Sequence, residues 1–203
     1  AALRNKKYVV TANKELIAKH GYSLFQLAEK NGVDLFYEAS VAGSIPIIRT
    51  LKIGYAADHI TEVSGIINGT TNYILSEMDQ KGRAYPDVLK EAQLAGYAEA
   101  DPTADVGGLD AAYKLAILAS IAFHAKISVA DIYREGIDKL DPVDLSFARR
   151  LGFVIKLIAK ASMSSQGLAL SVCPTFVDRS HPLANVSGVY NAIFLKGDFV
   201  GNA

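Results

Sequence analysis

Cysteine is almost absent from this 203-residue sequence. The single thiol, Cys173, cannot form an intramolecular disulfide, and no cluster of cysteine and histidine has the spacing of a zinc site. This usage of cysteine is typical of cytosolic proteins. We therefore expect a cytoplasmic protein without structural zinc.

The sequence also lacks an excess of charge of either sign and any long apolar run. Lysine and arginine total 21, and aspartate and glutamate total 21, so there is no broad positive field for binding nucleic acid. The most apolar stretch, Leu115–Phe123, is far shorter than the ~20 residues that cross a bilayer, and Ala1–Lys7 contains no secretory signal. These features predict no nucleic acid partner and no membrane span.

A dinucleotide-binding loop is missing where the first strand would place one. The pattern predicts a strand at Tyr8–Ala12, a helix at Asn13–His20, a second helix at Ser23–Asn31 and a strand at Asp34–Ala39. This alternation indicates part of an α/β sheet. No Gly-x-Gly-x-x-Gly loop occurs in the sequence, so the phosphates of any cofactor must bind elsewhere.

The remainder of the sequence predicts helices followed by strands. The predicted elements are a strand at His59–Ile67, helices at Asn72–Lys81, Pro86–Leu94 and Leu109–His124, and strands at Phe153–Ala159, Leu168–Phe176 and Gly188–Phe199. Leu109–His124 is expected to be a core helix. We predict an α+β fold, with a mixed, largely antiparallel sheet, covering helices and a remnant of a Rossmann-type α/β domain.

The strongest chemical signal is a polar loop that leads into the core helix. It contains four carboxylates and ends with Asp110 and Lys114, which lie one helical turn apart on the same face. The loop can fold Glu99 and Asp105 back over this pair. Carboxylates suit a substrate ammonium, and a partly desolvated lysine can exchange a proton with an alcohol or carbonyl oxygen. Spacing alone does not exclude the alternative, in which Asp110 and Lys114 form an ordinary surface ion pair near a helix N-terminus.

Three further segments each allow a functional and a purely structural interpretation. Lys14 follows the first strand, where ligands bind in open α/β sheets, but it could equally be a solvated lysine. Glu38 precedes an irregular Gly/Ser/Pro stretch that could present carbonyls to a hard cation or form a plain turn. Gly69 and Thr70 lie in a turn whose free N–H groups could receive a carboxylate, and Thr70, Thr71 or Asn72 could simply cap the next helix.

Five segments, in order along the chain, resemble segments of homoserine dehydrogenases. They are VVTANK, EASVAGSIPII, INGTTNYIL, GYAEADPTADVGGLDAAYK and HPLANVSGVYNAIFLKGDFVG. The fourth resembles the long signature of the family, and together they span nearly the whole chain. The resemblance implies NAD- or NADP-dependent interconversion of L-homoserine and L-aspartate 4-semialdehyde, in the pathway to threonine, isoleucine and methionine.

The resemblance also assigns roles to residues near the substrate. Lys114 resembles the catalytic proton donor, and Lys14 a catalytic lysine between nicotinamide and substrate. Glu99 and Asp110 are similar to the residues that hold the amino acid. Four positions are similar to secondary substrate contacts: Gly69, Thr70, Tyr97 and Asp105.

Other positions resemble the cofactor and cation sites of the family. Lys14, Asn13 and Gly96 are implied to contact the nicotinamide cofactor, and Gly96 would allow its close approach. A sodium site near the dimer contact is implied by four residues: Glu38 with the carbonyls of Val41, Gly43 and Ile45. Sodium would order a loop there without activating water.

The resemblance implies three parts and a homodimer. Residues 1–36 would be a remnant of the nucleotide-binding domain, residues 37–197 the catalytic and dimerisation domain, and residues 198–203 the start of the return to the nucleotide-binding domain. The subunit contact is expected around Val41–Ile48 and Val172–Phe199. Because the glycine-rich loop is missing, we expect this chain alone to bind nicotinamide cofactor poorly and to be inactive or nearly so.

Two alternatives to this function remain open at the level of sequence. The first is another amino-acid or semialdehyde reductase on the same architecture. The second is a structural dimerisation module without activity.

Overall fold

A computed structural model describes all 203 residues. The helices are α1 Lys14–Asn31, α2 Ile47–Arg49, α3 Gly69–Lys81, α4 Tyr85–Leu94, α5 Thr103–Val106, α6 Leu109–Ala122 and α7 Pro142–Arg150. The strands are β1 Val9–Val10, β2 Leu35–Phe36, β3 Ile60–Ile66, β4 Tyr133–Arg134, β5 Phe153–Ser164, β6 Gly167–Asp178, β7 Ala192–Gly197 and β8 Gly201–Asn202. None of the helices is long and apolar enough to cross a membrane.

Six strands form one sheet in the order β4-β6-β5-β3-β7-β8. All neighbours are antiparallel except β4, which runs parallel to β6. The predicted mixed, largely antiparallel sheet with covering helices is therefore confirmed. The longest strand pairing in the sheet is the β5-β6 hairpin, which pairs from Phe153 opposite Asp178 to Ser164 opposite Gly167, and β5 and β3 are the two central strands. Both strands are longer than the sequence pattern predicted.

Helix α6 packs between the sheet and α1. Its residues Leu115 and Ala119 join the main core cluster, and Ile117 and Leu118 join a second cluster beneath the segment around Ile47. A helix with apolar neighbours on nearly every side needs apolar residues all around, which explains its high hydrophobicity. The prediction of a core helix here is confirmed.

The N-terminal residues form a parallel β-α-β unit in which β1 pairs with β2 and α1 connects them. The prediction of two helices was wrong, because α1 is continuous through Gly21. A β-carbon at Gly21 would lie 3.2 Å from the ring of Phe25, so the glycine fits a close contact within the helix. Ser23 donates its hydroxyl to the carbonyl of His20 and does not start a new helix. The division into residues 1–36, 37–197 and 198–203 stays a prediction.

Two other elements differ from the sequence prediction. Helix α7 was not predicted, although Asp141 caps it and forms a reciprocal capping box with Asp144. Strand β7 begins at Ala192 and not at Gly188, because Gly188 has a positive φ of 64°. The residues before β7 form a turn that contacts α3.

Candidate functional site

The N-terminal ends of three helices meet at Asp110. Its Oδ1 lies 3.1 Å from Nζ of Lys14 at the start of α1, and its Oδ2 lies 2.7 Å from Nζ of Lys114, one turn further along α6. Asn68, which caps α3, donates its amide to the same Oδ2 at 2.9 Å. Asp110 is only 8% exposed. The pair of Asp110 and Lys114 is therefore not the surface ion pair that the sequence left open.

Lys14, Asp105, Asp110 and Lys114 form a charged cluster. Asn68 connects this cluster to the cap of α3. Its Oδ1 accepts hydrogen bonds from the backbone N–H and the hydroxyl of Thr71, at 2.8 and 2.9 Å. This orientation directs the amide nitrogen to Asp105 at 2.7 Å and to Asp110. The alternative in which Thr70, Thr71 or Asn72 caps α3 is wrong, because Asn68 has the extended conformation of a cap residue and its side chain accepts the N–H of Thr71.

The two bridged carboxyls have opposite pKa shifts. For Asp110, burial raises the pKa, but the charge and hydrogen bond of Lys114, with Asn68 and Lys14, outweigh burial and leave it below its usual value. For Asp105, burial and the charge of Asp110 keep the pKa above its usual value despite the hydrogen bond from Asn68. The site therefore holds one firmly ionised carboxylate beside a carboxyl that protonates more easily.

Lys114 has one hydrogen to spare. Its ammonium group interacts with Asp110 and donates to the carbonyl of Ile67 at 2.8 Å. An ammonium group has three hydrogens, and Lys114 makes no further hydrogen bond within the protein. The third hydrogen is available to an oxygen of a bound molecule.

The loop before α6 forms one side of the site. Thr70 donates its hydroxyl to the carbonyl of Tyr97 at 2.6 Å, which ties this loop to the start of α3. Glu99 is exposed, and its negative charge is one of the causes of the raised pKa of Asp105. Gly96 has a φ of 77° and open space around its missing side chain. The structure thus brings Asp105, Asp110 and Lys114 together as predicted, while Glu99 stays exposed in the loop that precedes them.

Gly69 starts α3 against a neighbouring turn. A β-carbon at Gly69 would lie only 2.7 Å from the carbonyl oxygen of Val189. Any side chain there would displace backbone atoms, so this position requires glycine. Glycine is required because the backbone of Val189 packs closely against this position, and not because of a positive φ.

The residues assigned to the cofactor side follow β1. Asn13 caps α1 by accepting the backbone N–H of Leu16 at 2.9 Å. The side chain of Lys14 is 39% exposed, and Asp110 is its only charged partner. Lys14 is thus partly open to solvent while its ammonium group is directed into the cluster.

Glu38 makes a different set of contacts. Its two carboxylate oxygens accept the backbone N–H groups of Ile48 at 2.8 Å and Arg49 at 2.9 Å. The carbonyl of Ile45 accepts from the N–H of Ile47 at 2.8 Å, while the carbonyls of Val41 and Gly43 accept no hydrogen bond. No group of three or more metal-binding His, Cys, Asp or Glu side chains occurs in the protein.

One large cavity lies away from the charged cluster. Its volume is about 1100 Å³, and it runs between α1 and the second half of α6, past Phe25, Tyr55 and Ile121. Neither Asp110 nor Lys114 lines it. The charged cluster, which contains the perturbed carboxyls, is the better candidate for chemistry.

Comparison with known proteins points to one family. A profile described as homoserine dehydrogenase matches residues 46–203. The chain is 50% identical over 200 residues to a homoserine dehydrogenase of Neisseria gonorrhoeae and 49% identical over 200 residues to one of Bacillus subtilis. Each match covers 98% of this chain and 46% of the relative. The chain therefore spans about half the length of these relatives.

Solved structures show the same relationship. A homoserine dehydrogenase from Thiobacillus denitrificans superposes with a TM-score of 0.97 at 50% identity, covering 99% of this chain and 47% of that one. A hyperthermophilic archaeal homoserine dehydrogenase in complex with NADPH superposes with a TM-score of 0.86 at 30% identity. That match covers 100% of this chain and 58% of the archaeal chain.

Proposed function

Because the chain belongs to the homoserine dehydrogenase family, we propose that it carries the substrate site of an NAD(P)-dependent homoserine dehydrogenase. The reaction would interconvert L-homoserine and L-aspartate 4-semialdehyde. The observation that carries this proposal is the buried carboxylate of Asp110 between the ammonium groups of Lys14 and Lys114. Such a cluster can bind a small charged amino acid and transfer a proton to or from its hydroxyl or carbonyl oxygen.

In this proposal Glu99 and Asp110 hold the substrate by its ammonium group. Glu99 is exposed and has no partner for its carboxylate, so it can accept a new cation at little cost in desolvation. Asp110 is buried and stays ionised because its pKa is lowered. Gly69, Thr70, Tyr97 and Asp105 form the remaining wall.

Lys114 would handle the proton. In the reducing direction its free hydrogen passes to the carbonyl oxygen as that oxygen becomes a hydroxyl, and Lys114 is left as a neutral amine. In the oxidising direction the amine removes the hydroxyl proton. Asp110 holds the ammonium group in position and stabilises its charge. Lys14, bound to the other oxygen of Asp110, would lie between substrate and nicotinamide.

We propose NAD or NADP as the cofactor, which supplies or accepts the hydride. Gly96 supports this, since its positive φ and open surroundings leave room for a large planar group. Asn13 and Lys14 would lie on the same side. The archaeal relative in complex with NADPH also supports cofactor binding in this family.

We further propose a sodium site at Glu38, Val41, Gly43 and Ile45. The carbonyls of Val41 and Gly43 are free of hydrogen bonds, and carboxylate and carbonyl oxygens are the ligands that hard cations prefer. Glu38 caps α2 with both oxygens, so it would have to share them with the ion. Sodium would then order this loop and take no part in proton transfer.

A homodimer and a cytoplasmic location complete the proposal. The subunit contact would involve Val41–Ile48 and Val172–Phe199, and Phe176 and Phe199 in the second segment are 59% and 90% exposed. Sedimentation equilibrium tests the dimer, and a monomer at tens of micromolar would count against it. The location rests on the single cysteine.

Substrate comparison tests the proposed reaction. The protein that contains these residues should reduce nicotinamide cofactor with L-homoserine, as measured by absorbance of the reduced cofactor. Malate-like and diamino-acid substrates should give far lower kcat/KM. Preference for one of those would favour another reductase, and no turnover of any substrate would favour a structural dimerisation module.

A further inference from the structure

Lys156 is a buried lysine outside the charged cluster. It lies on β5 and is only 5% exposed. No carboxylate pairs with it: its ammonium group donates to the carbonyl of Val186 at 2.6 Å, to Oδ1 of Asn72 at 3.1 Å and to the hydroxyl of Ser76 at 3.5 Å. All three of its hydrogens thus go to neutral oxygens. Burial of a charge without an opposite charge beside it lowers the free energy of unfolding. A lysine at such a position therefore calls for an explanation other than stability.

The acceptors of Lys156 hold one turn of the chain, residues 186–190. Asn72 donates its amide to the carbonyls of Val186 at 3.3 Å and Tyr190 at 3.1 Å. Ser76 accepts the backbone N–H of Gly188 at 3.2 Å. The turn is therefore fixed at its start, middle and end, because Lys156 also binds the carbonyl of Val186.

This turn forms part of the wall of the proposed substrate site. The carbonyl oxygen of Val189 lies 2.7 Å from the position of a β-carbon on Gly69. Gly69 is the first residue of α3, and the next residue, Thr70, binds the loop that carries Tyr97 and Glu99. A shift of the 186–190 turn would therefore move Gly69 and, through Thr70, that loop.

We propose that Lys156 is a positioning residue for the substrate site, which acts by holding the 186–190 turn against Gly69. It does not touch the substrate. The inference rests on the proposed function, because it assumes that Gly69 and Thr70 contact the substrate.

The charges around Lys156 are consistent with this role. Asp79 on α3 is the one carboxylate whose charge affects it, and Asp79 is itself paired with Arg149 on α7 at 3.1 Å. Arg179, which follows β6, lines the cavity of about 300 Å³ beside Lys156. Burial lowers the pKa of Lys156 to about 8, so the group is still mostly charged at neutral pH. A lysine that only filled space would be replaced by methionine without loss of function.

Lys156→Met tests the proposal, with Lys160→Met as the matched control. Lys160 lies on the same face of β5 but is 44% exposed and pairs with Glu62, away from the turn. Homoserine affinity is measured by calorimetry, melting temperature by calorimetric scanning and backbone mobility by hydrogen exchange. We expect Lys156→Met to raise the Kd for homoserine roughly tenfold and to speed exchange in residues 186–190 and 69–72, with little change in melting temperature. Lys156→Arg, which keeps the charge and donors, should recover part of the affinity.

Each outcome decides the proposal. Wild-type affinity and exchange in Lys156→Met would overturn it, and so would equal losses of affinity in Lys156→Met and Lys160→Met. If Lys156→Met does not fold, Ser76→Ala, which removes the acceptor of Gly188, should speed exchange in the turn and weaken homoserine binding. If the wild type does not bind homoserine, the proposed function fails, and hydrogen exchange alone then decides whether Lys156 positions the wall at Gly69.

Discussion

The amide nitrogen of Asn68 lies 2.9 Å from the carboxylate of Asp110 and is shared with Asp105 at 2.7 Å. A single amide group thus separates two carboxyls, while the oxygen of the same side chain caps α3. The start of α3 and the charge state of the site depend on one residue. No role was predicted for Asn68 from the sequence.

Substitutions at Asn68 should distinguish its role in capping α3 from its role in bridging Asp105 and Asp110. Asn68→Ser keeps an oxygen that can cap α3 but removes the amide donor, so Asp105 and Asp110 repel each other more strongly. Asn68→Asp keeps the cap and adds a third carboxylate. We expect homoserine affinity to fall from wild type to serine to aspartate, by roughly tenfold at each step. Calorimetry measures this, and equal affinities for all three would contradict the role of the bridge.

Lys114→Met should remove proton transfer and leave the helix intact. The methionine fills similar space in α6, so kcat should fall roughly 10²–10⁴-fold while KM for homoserine changes much less. Lys19→Met is the control, since Lys19 is exposed and pairs only with Glu15 among the carboxylates. Steady-state kinetics give kcat and KM for each variant, measured in the protein that contains these residues. A larger change in KM than in kcat would show that Lys114 serves binding.

Gly69→Ala should destabilise the protein through contact with backbone. Its β-carbon would lie 2.7 Å from the carbonyl oxygen of Val189, so α3 or the turn must move, at a cost of about 1–3 kcal/mol. At Gly54 the nearest atom to a β-carbon is 3.8 Å away, on Thr50, so Gly54→Ala should change the free energy of unfolding by less than about 1 kcal/mol. Urea denaturation measures both. Equal free energies of unfolding for the two variants would show that the 186–190 turn can move away from Gly69 at no energetic cost.

The opposite pKa shifts of Asp110 and Asp105 predict opposite effects of acid. The pKa of Asp110 is lowered in the folded state, so its ionised form contributes stability above its unfolded pKa, and this is lost as pH falls through the folded pKa. The pKa of Asp105 is raised, so its ionised form costs stability, and protonation relieves this cost as pH falls through its folded pKa.

Unfolding of Asp110→Asn and Asp105→Asn across acidic pH tests these signs. As pH falls, the stability advantage of wild type over Asp110→Asn should shrink, and wild type should gain stability relative to Asp105→Asn. The difference from wild type isolates each carboxyl from the other acids. Slopes of the same sign in both variants would contradict the assignment of one firmly ionised carboxylate and one easily protonated carboxyl.

Local patterns predicted much of the fold. The spacing of Asp110 and Lys114 placed both on one face of α6, and the apolar run after them predicted a core helix. Gly21 misled the interpretation of α1, because a glycine tolerated for close packing has the same local signature as a helix terminus. Helix α7 was missed because its capping signal at Asp141 precedes few buried residues.

Long-range contacts could not be predicted from the sequence. The contacts of Asn68 with Asp105 and Asp110 join residues 37 and 42 positions apart. The partners of Lys156 lie 30 to 84 positions away. A lysine within the apolar strand sequence FVIKLIA was the one visible signal that β5 carries an unusual buried charge.

Titration of L-homoserine by calorimetry tests the central claim most directly. Glu99→Gln and Asp110→Asn are compared with Asp101→Asn, an exposed carboxylate of the same loop that interacts with Thr103. We predict saturable binding to wild type and Asp101→Asn, and a Kd raised at least roughly tenfold in Glu99→Gln and Asp110→Asn. Binding to wild type that neither of those two substitutions weakens would contradict the placement of the substrate at Asp110.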